Sequence, residues 1–307
     1  MKRTIYILLF AGMITSMEVD ACDVCGCSLG GGYFGILPQF NKNFVGLRWS
    51  QAKFYSYMNH QSEYTHDEYS NDTYNKVELW GRFYINPKLQ LFTFIPYNYN
   101  QMEGSEQNVT ASGMGDVSLI ANYLLINTGM DTIKLFKQTL SLGGGVKLPT
   151  GKYNLADQGA LVNENFQMGT GSTDFVISAM YTLRYKQIGS NFETGYKINT
   201  ANQNDYRFGN QFHASYQLFY WQNLKGIALL PNAGVYYEQG DYHKDDGIIQ
   251  SNTGGSALLA TVGLETYFGQ FTVGFNYKHP LVQHFNSDNV ADIQSKDRFV
   301  VALTFNF

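Results

Sequence analysis

The sequence predicts an all-β fold, a twelve-stranded antiparallel transmembrane β-barrel with periplasmic termini, and three observations carry that prediction. Beyond the N-terminus no apolar run approaches the roughly 18 residues that a membrane-crossing helix needs, although 44% of the 307 residues are hydrophobic, 16% aromatic and only 15% charged. The chain ends in a strict alternation: Phe299, Val301, Leu303, Phe305 and Phe307 hold every second position, with Arg298, Ala302, Thr304 and Asn306 between them. An extended strand sorts the two sets onto opposite faces. Strand-like runs, near the ~9–11 residues that a tilted membrane strand needs or somewhat longer, recur along the chain with alternately long and short connections. In lipid every backbone polar group must find an internal partner, so strands cross only as a closed cylinder. The competing architecture is a soluble sandwich or lipocalin-like barrel, whose strands are usually ~5–6 residues long. It would leave the row ending at Phe307 as an uncovered apolar edge.

Residues 1–21 read as a signal peptide. Lys2 and Arg3 precede an apolar stretch, and Val19 and Ala21 are small residues spaced for cleavage before Cys22. Its removal takes two basic and two acidic residues and leaves the net charge at -4, so nothing points to nucleic acid as a partner. Residues 22–43 form a periplasmic Cys/Gly-rich segment, and residues 44–307 the barrel.

The expected strands are residues 44–57, 75–85, 89–99, 116–126, 138–148, 173–185, 190–199, 207–220, 226–238, 256–268, 270–279 and 297–307. The second is the clearest, with Val77, Leu79, Phe83 and Ile85 alternating with Lys76, Glu78, Arg82 and Tyr84. Asn86, Pro87 and Lys88 make a tight turn after it. Polar loops are expected at 58–74 and 100–115, and the longest at 149–172. Long connections follow the odd strands and short ones the even, which puts both termini on the periplasmic side and the long loops outside. Tyr97, Tyr99, Tyr123, Tyr185, Tyr220 and Tyr277, near strand ends, are expected to form aromatic girdles at the two interfaces.

The same alternation sends Arg48, Lys76, Arg82, Lys147, Arg184, Lys197, Lys278 and Arg298 into the lumen, with Glu78, Asp116, Asp174, Glu193, Glu238 and Glu265. Both signs are present in similar number, so these side chains are expected to pair across a polar interior of no strong ion selectivity. Twelve strands lie between filled small barrels and wide porins, and partial filling by Tyr84, Tyr236, Tyr267 or a folded loop is expected.

Three motifs stand in order along the chain: Gly113-Met114-Gly115-Asp116, Lys147-Leu148-Pro149-Thr150-Gly151, and Gly169-Thr170-Gly171-Ser172-Thr173-Asp174-Phe175. Their order and spacing resemble the outer-membrane family associated with the meta-pathway of phenol degradation. Physically the glycines let the chain turn sharply where strand meets loop. The resemblance implies a channel for small compounds, often aromatic or apolar. The closing strand that ends in Phe likewise resembles the signal by which outer-membrane barrels are recognised and inserted.

Cys22, Cys25 and Cys27 are all the cysteines, at Cys-x-x-Cys-x-Cys spacing, and lie outside that family pattern. Thiolates so spaced can wrap Cu(I) or Zn(II). A disulfide in an oxidising periplasm and acylation of Cys22 stand beside that reading. His60 with Ser62, and His213 with Ser215, put a His and a Ser on one face of a strand, as outer-membrane lipid hydrolases do. No acidic or amide partner is assignable to either pair, so no catalytic residue is named. His60 and His66 beside Asp67 and Glu68, His243 before Asp245 and Asp246, and His279 with His284 read as solvated loop residues, with an external metal patch as the alternative.

The sequence is thus read as a non-enzymatic channel in the outer membrane of a Gram-negative bacterium, passing small solutes by passive diffusion. Its partners would be outer-membrane lipid, the barrel-assembly machinery and the solute. A copper-handling barrel is the alternative from another class, and a lipid hydrolase the remoter one.

Overall fold

The computed structural model describes residues 43–58, 67–105, 108–129, 131, 133–157, 160–161, 163–285 and 291–307. β1 (Phe44–Met58) and β2 (Glu68–Asn86) lie side by side, and the chain turns at Pro87 into β3 (Leu89–Gly104). At that turn Asn86 Oδ1 accepts the backbone N–H groups of Lys88 and Leu89, each at 2.9 Å. The fourth stave is in two pieces, β4 (Asn108–Met114) and β5 (Val117–Asn127), broken at Gly115 and Asp116, and β6 (Phe136–Leu148) follows.

The long connection after β6 carries a ribbon of β7 (Ala156–Asp157) and β8 (Ala160–Leu161) and a 3-10 turn over Glu164–Phe166. Then come β9 (Asp174–Tyr185), β10 (Ile188–Ile198) and β11 (Gln211–Tyr220), with the short β12 (Gln222–Leu224) leading into β13 (Ile227–Gly240). An outer ribbon of β14 (Lys244–Asp245) and β15 (Ile248–Ile249) precedes β16 (Gly255–Phe268), β17 (Phe271–Phe285) and β18 (Ala291–Asn306).

Every stave pairs antiparallel with the next, and the ring shuts where β1 meets β18, from Phe44 opposite Asn306 to Met58 opposite Ala291. The cylinder is therefore closed and twelve-stranded, as expected. Asn43 N–H donates to Phe307 O at 3.1 Å and Phe307 N–H to Asn43 O at 3.0 Å, which extends that seam to the last residue. Among the described residues no helix is long and apolar enough to cross a membrane.

The alternation works as the residue types demand. Val45, Leu47 and Trp49 on β1, and Val77, Leu79, Phe83 and Ile85 on β2, are exposed on the outer wall, while Arg48, Ser50, Glu78 and Arg82 are buried inside. So large an apolar surface would be an aggregation hazard in water and is matched by hydrocarbon. From Phe299 to Phe307, at about 3.3 Å per residue and a tilt of ~40°, the apolar row rises roughly 20 Å, near the height of a typical lipid-facing band. Tyr97, Tyr99, Tyr123, Tyr185 and Tyr220 are exposed on the outer wall, whereas Tyr277 is half-buried.

The strands are longer than the sequence reading drew them. β2 starts at Glu68, and β3 and β4 form a hairpin from Tyr97 opposite Met114 to Glu103 opposite Asn108. The loop expected at 100–115 is therefore largely ladder. β17 and β18 also run past the expected strand ends, to Phe285 and from Ala291. Above the lipid the outward positions turn polar, as Asn71, Glu103 and Thr110 do, so the apolar outer row that marks a strand fades while the backbone pairing continues.

Candidate functional site

The interior has two unlike walls. On β1, β2, β3, β5 and β9, Phe44, Trp80, Phe92, Phe94, Ile120 and Met180 pack into one buried cluster. Phe44 meets Trp80 edge-on at 4.6 Å, and Trp80 stacks on Phe94 at 6.3 Å. Guanidinium groups lie over these rings: Arg48 is 4.7 Å from the Trp80 centroid and 5.5 Å from that of Phe94, and Arg82 is 5.1 Å from Phe44. Such contacts are worth ~0.5–2 kcal/mol each. The facing wall is polar, with Asn191, Ser215, Gln217, Asn232, Thr261 and Asn276 all buried on β10, β11, β13, β16 and β17.

The aromatic wall is what sequence reasoning missed. Along β3 both faces are apolar, with Leu91 and Ile95 outward and Phe92 and Phe94 inward, so the alternation there has no contrast to read. The register with β2 is the signal that fixes it, because Trp80 sits opposite Phe94 and Arg82 opposite Phe92.

The predicted interior residues fall into several groups. Arg48 holds Glu78 through Nε at 3.0 Å and a second bond from Nη2, and Lys76 approaches the same carboxylate at 3.5 Å. Arg298 grips Glu238 with two parallel bonds, 2.9 and 2.6 Å, which ties β18 to β13 over the two intervening staves. Lys278 Nζ lies 3.7 Å from the centre of the Tyr236 ring. Glu193 is 3.8 Å from His213 Nε2. Glu265 leans over Gly274, where a Cβ would lie 2.5 Å from its Oε2. Arg184 lies over the Trp221 ring at 4.9 Å, near the turn between β9 and β10. Lys197 lines the chamber described below.

Lys147, Asp116 and Asp174 form the tightest assembly. Lys147 Nζ is 2.6 Å from Asp116 Oδ2 and 2.9 Å from Asp174 Oδ2, and it also bonds Thr170 Oγ1. Asp116 accepts the backbone N–H groups of Gly151 and Thr170, both at 2.9 Å. Thr150 Oγ1 accepts Val117 N–H at 2.9 Å and donates to Gly115 O at 2.9 Å, filling the break between β4 and β5. Gly151 and Gly169 lie back to back, so a Cβ on Gly151 would sit 2.8 Å from Gly169 Cα.

This clasp pins both ends of the 149–173 connection and folds its middle into the barrel. Phe166 and Met168 are buried there against Phe54, Tyr74, Val109 and Ile293, and Asn98 Nδ2 holds Met168 O at 2.9 Å. Below the fold lies a chamber of about 180 Å³, with Phe94, Pro96, Ile120, Met168 and Phe208 on its apolar faces and charges of both signs, Arg48, Lys76, Lys147 and Lys197 with Glu78, Asp116 and Glu164, around it.

The neighbouring outer connections lock onto this cap. Asn202 Nδ2 donates to Thr170 O at 3.1 Å, Tyr153 O–H to Gln203 Oε1 at 3.0 Å, and Arg207 and Lys244 exchange backbone bonds at 2.8 and 2.9 Å. Here the reading of His243 as a solvated loop residue is corrected. His243 is 1% exposed. Its Nδ1 is 2.8 Å from the Tyr206 hydroxyl, and its ring meets Phe208 edge-on at 5.0 Å. Burial, and then the Lys197 charge, push its pKa down from 6.5 to about 3. The reason is packing: Tyr206 and Phe208 supply an apolar pocket that a charged imidazolium would have to leave.

Cys22, Cys25, Cys27, His60, Ser62 and His66 lie outside the described residues. Among the described residues no three His, Cys, Asp or Glu side chains converge on a metal-sized site. Ser215 Oγ and His213 Nε2 face the lumen and are not hydrogen-bonded to each other. His279 Nδ1 pairs with Asp297 Oδ1 at 2.7 Å on the exposed side of β17 and β18.

The clasp is assembled from the three motifs. The sequence profile of the family described as "Putative MetA-pathway of phenol degradation" matches residues 68–284, more than half of the chain. The chain belongs to that family. Its fold matches the crystal structure of the COG4313 outer membrane channel from Pseudomonas putida F1 with a TM-score of 0.64 and 15% identity, covering 90% of this chain and 98% of that one. The β domain of the Bordetella autotransporter BrkA overlaps with a TM-score of 0.44 at 10% identity, covering 86% of this chain and 99% of that one. The CymD monoaromatic hydrocarbon channel overlaps with 0.38 at 9%, covering 87% and 88%. No curated protein sequence matches this chain.

Proposed function

We propose that this family member is an outer-membrane channel through which small solutes, aromatic and apolar ones included, diffuse passively. The observation that carries the reading is the 149–173 connection clasped inside the lumen over a chamber with aromatic and charged walls. A connection held by its two ends and folded over a cavity is placed to admit or exclude a solute. The polar wall of Asn, Gln, Ser and Thr would carry water beside it, since buried polar atoms need partners.

Conductance in planar bilayers tests this. The wild-type protein should pass small or intermittent currents, and replacing residues 156–168 by a short Gly/Ser linker should raise them severalfold. No current from either protein overturns the channel. Metal handling is the second reading, and it rests on the spacing of Cys22, Cys25 and Cys27. Stoichiometric copper binding by a non-conducting protein would favour it.

A further inference from the structure

We propose that the periplasmic edge of β6 and β9 is a binding site for an anionic phospholipid of the inner leaflet, its phosphate held by Lys134 and Lys186 and its acyl chains laid over Phe136 and Tyr185. The site lies on the outer wall and is independent of the solute that the lumen passes. Position comes first. Phe136 stands opposite Tyr185 across the two strands, and their rings, 5.0 Å apart, are both exposed. They continue toward the periplasm the lipid-facing rows that hold Leu142 on β6 and Ile177 on β9. The connection leading into β6 prolongs that apolar surface past the last ladder pair, with Ile133 91% and Leu135 65% exposed. Side chains so exposed are disfavoured in water and favoured where hydrocarbon meets headgroups.

Charge comes next. Lys88, Lys134, Lys186 and Lys225 each stand in a different periplasmic connection, and among the described residues of these connections Asp131 is the one acid. That carboxylate is engaged locally. Its Oδ1 accepts the N–H groups of Ile133 and Lys134 at 3.0 and 3.3 Å, and its Oδ2 lies 3.8 Å from Lys134 Nζ, on a side chain 58% exposed. An exposed pair at that separation holds a lysine weakly, so Lys134 is able to turn to a phosphate. Lys186 Nζ lies 5.4 Å from the centre of the Tyr185 ring, which places an ammonium group at the edge of the apolar surface, as a snorkelling lysine is placed. On the outer 241–254 connection the bias is reversed, with Asp241, Asp245 and Asp246 against Lys244. The backbone adds an independent sign. Lys186 and Lys225 have φ of +53° and +47°, a conformation that Gly and Asn adopt at lower cost. Lysine at both turns is explained by what its ammonium group reaches, the plane of the lipid phosphates.

The test is native mass spectrometry of the full-length protein in detergent, with phosphatidylglycerol and phosphatidylethanolamine of identical acyl chains. Phosphatidylglycerol should be retained about tenfold more than phosphatidylethanolamine. The double variant Lys134→Gln, Lys186→Asn should lose that preference, and Lys88→Gln, at the turn between β2 and β3, should keep it. Because Asn suits the left-handed turn better than Lys, the double variant should resist urea unfolding in phosphatidylcholine vesicles at least as well as the wild type, which separates lost lipid binding from lost structure. Glycerol 3-phosphate at equal concentration should not displace the lipid, since it lacks the chains that Phe136 and Tyr185 hold. Equal retention of the two lipids would leave these lysines to an acidic periplasmic protein and overturns the proposal. So does a preference that survives the double variant, an equal loss in Lys88→Gln, or displacement by glycerol 3-phosphate. If the double variant does not fold, the wild-type comparison and Lys186→Asn alone decide.

Discussion

Lys147 separates two aspartates that would otherwise face each other across a few ångströms of protein. Removing its charge with Lys147→Met leaves Asp116 and Asp174 buried without their shared cation, a change that typically costs about 3–5 kcal/mol. The barrel ladder does not depend on that charge, but the seating of the 149–173 connection does. Trypsin cleavage after the exposed Lys152 should therefore rise at least tenfold in the variant, with conductance rising alongside. Cleavage at the wild-type rate would mean that the connection is held by something other than the clasp. His243 gives a second expectation on the outer side. Its folded pKa lies below its ordinary value because Tyr206 and Phe208 bury it and Lys197 repels its charge. Unfolded chain therefore takes up the proton first as pH falls. The cap's stability should be complete above about pH 6.5 and decline progressively down to about 3. Proteolysis of the 241–254 connection against pH should follow that course, and His243→Phe should flatten it.

At the scale of the strand, lipid contact sets the penalties. Leu303 lies on the exposed row of β18, midway between Phe299 and Phe307. Leu303→Arg should destabilise the barrel by about 2–4 kcal/mol in urea titrations in lipid vesicles, the range for a cation at the bilayer midplane. A change below ~0.5 kcal/mol would put that row outside the hydrocarbon. The same contrast explains what was legible in the sequence. Where one face meets lipid and the other water, as on β2 and β18, alternation fixed the strand, its orientation and the inward charges. On β3 the inner face is as apolar as the outer, so the wall of Phe92 and Phe94 could not be seen. Beyond the bilayer the outer face carries Glu103, Thr110 and Ser112 in place of apolar residues, so the β3–β4 hairpin read as loop. The glycines of the three motifs were visible as turns, but the contact between Gly151 and Gly169 joins residues from opposite ends of a long connection. No periodicity encodes that.

The described residues form a cylinder whose interior is packed with side chains. Rings and guanidinium groups fill one side, amides and hydroxyls the other, and the Arg298–Glu238 pair braces staves that are not neighbours. Passage through such an interior requires movement of the 149–173 connection more than of the wall, because the wall's backbone bonds form an unbroken ring. The described backbone, from Asn43 to Phe307, is also very nearly a circle, since its two ends bond to one another. A circular permutant, with those ends joined by a few residues and new ends cut at Lys186 between β9 and β10, should refold in detergent or vesicles to the same heat-resistant species. In living cells it should fail to reach the membrane if the terminal Phe is the address that the insertion machinery reads. Success in both settings would make that address dispensable, and failure in both would mean that the seam between first and last strand must form late.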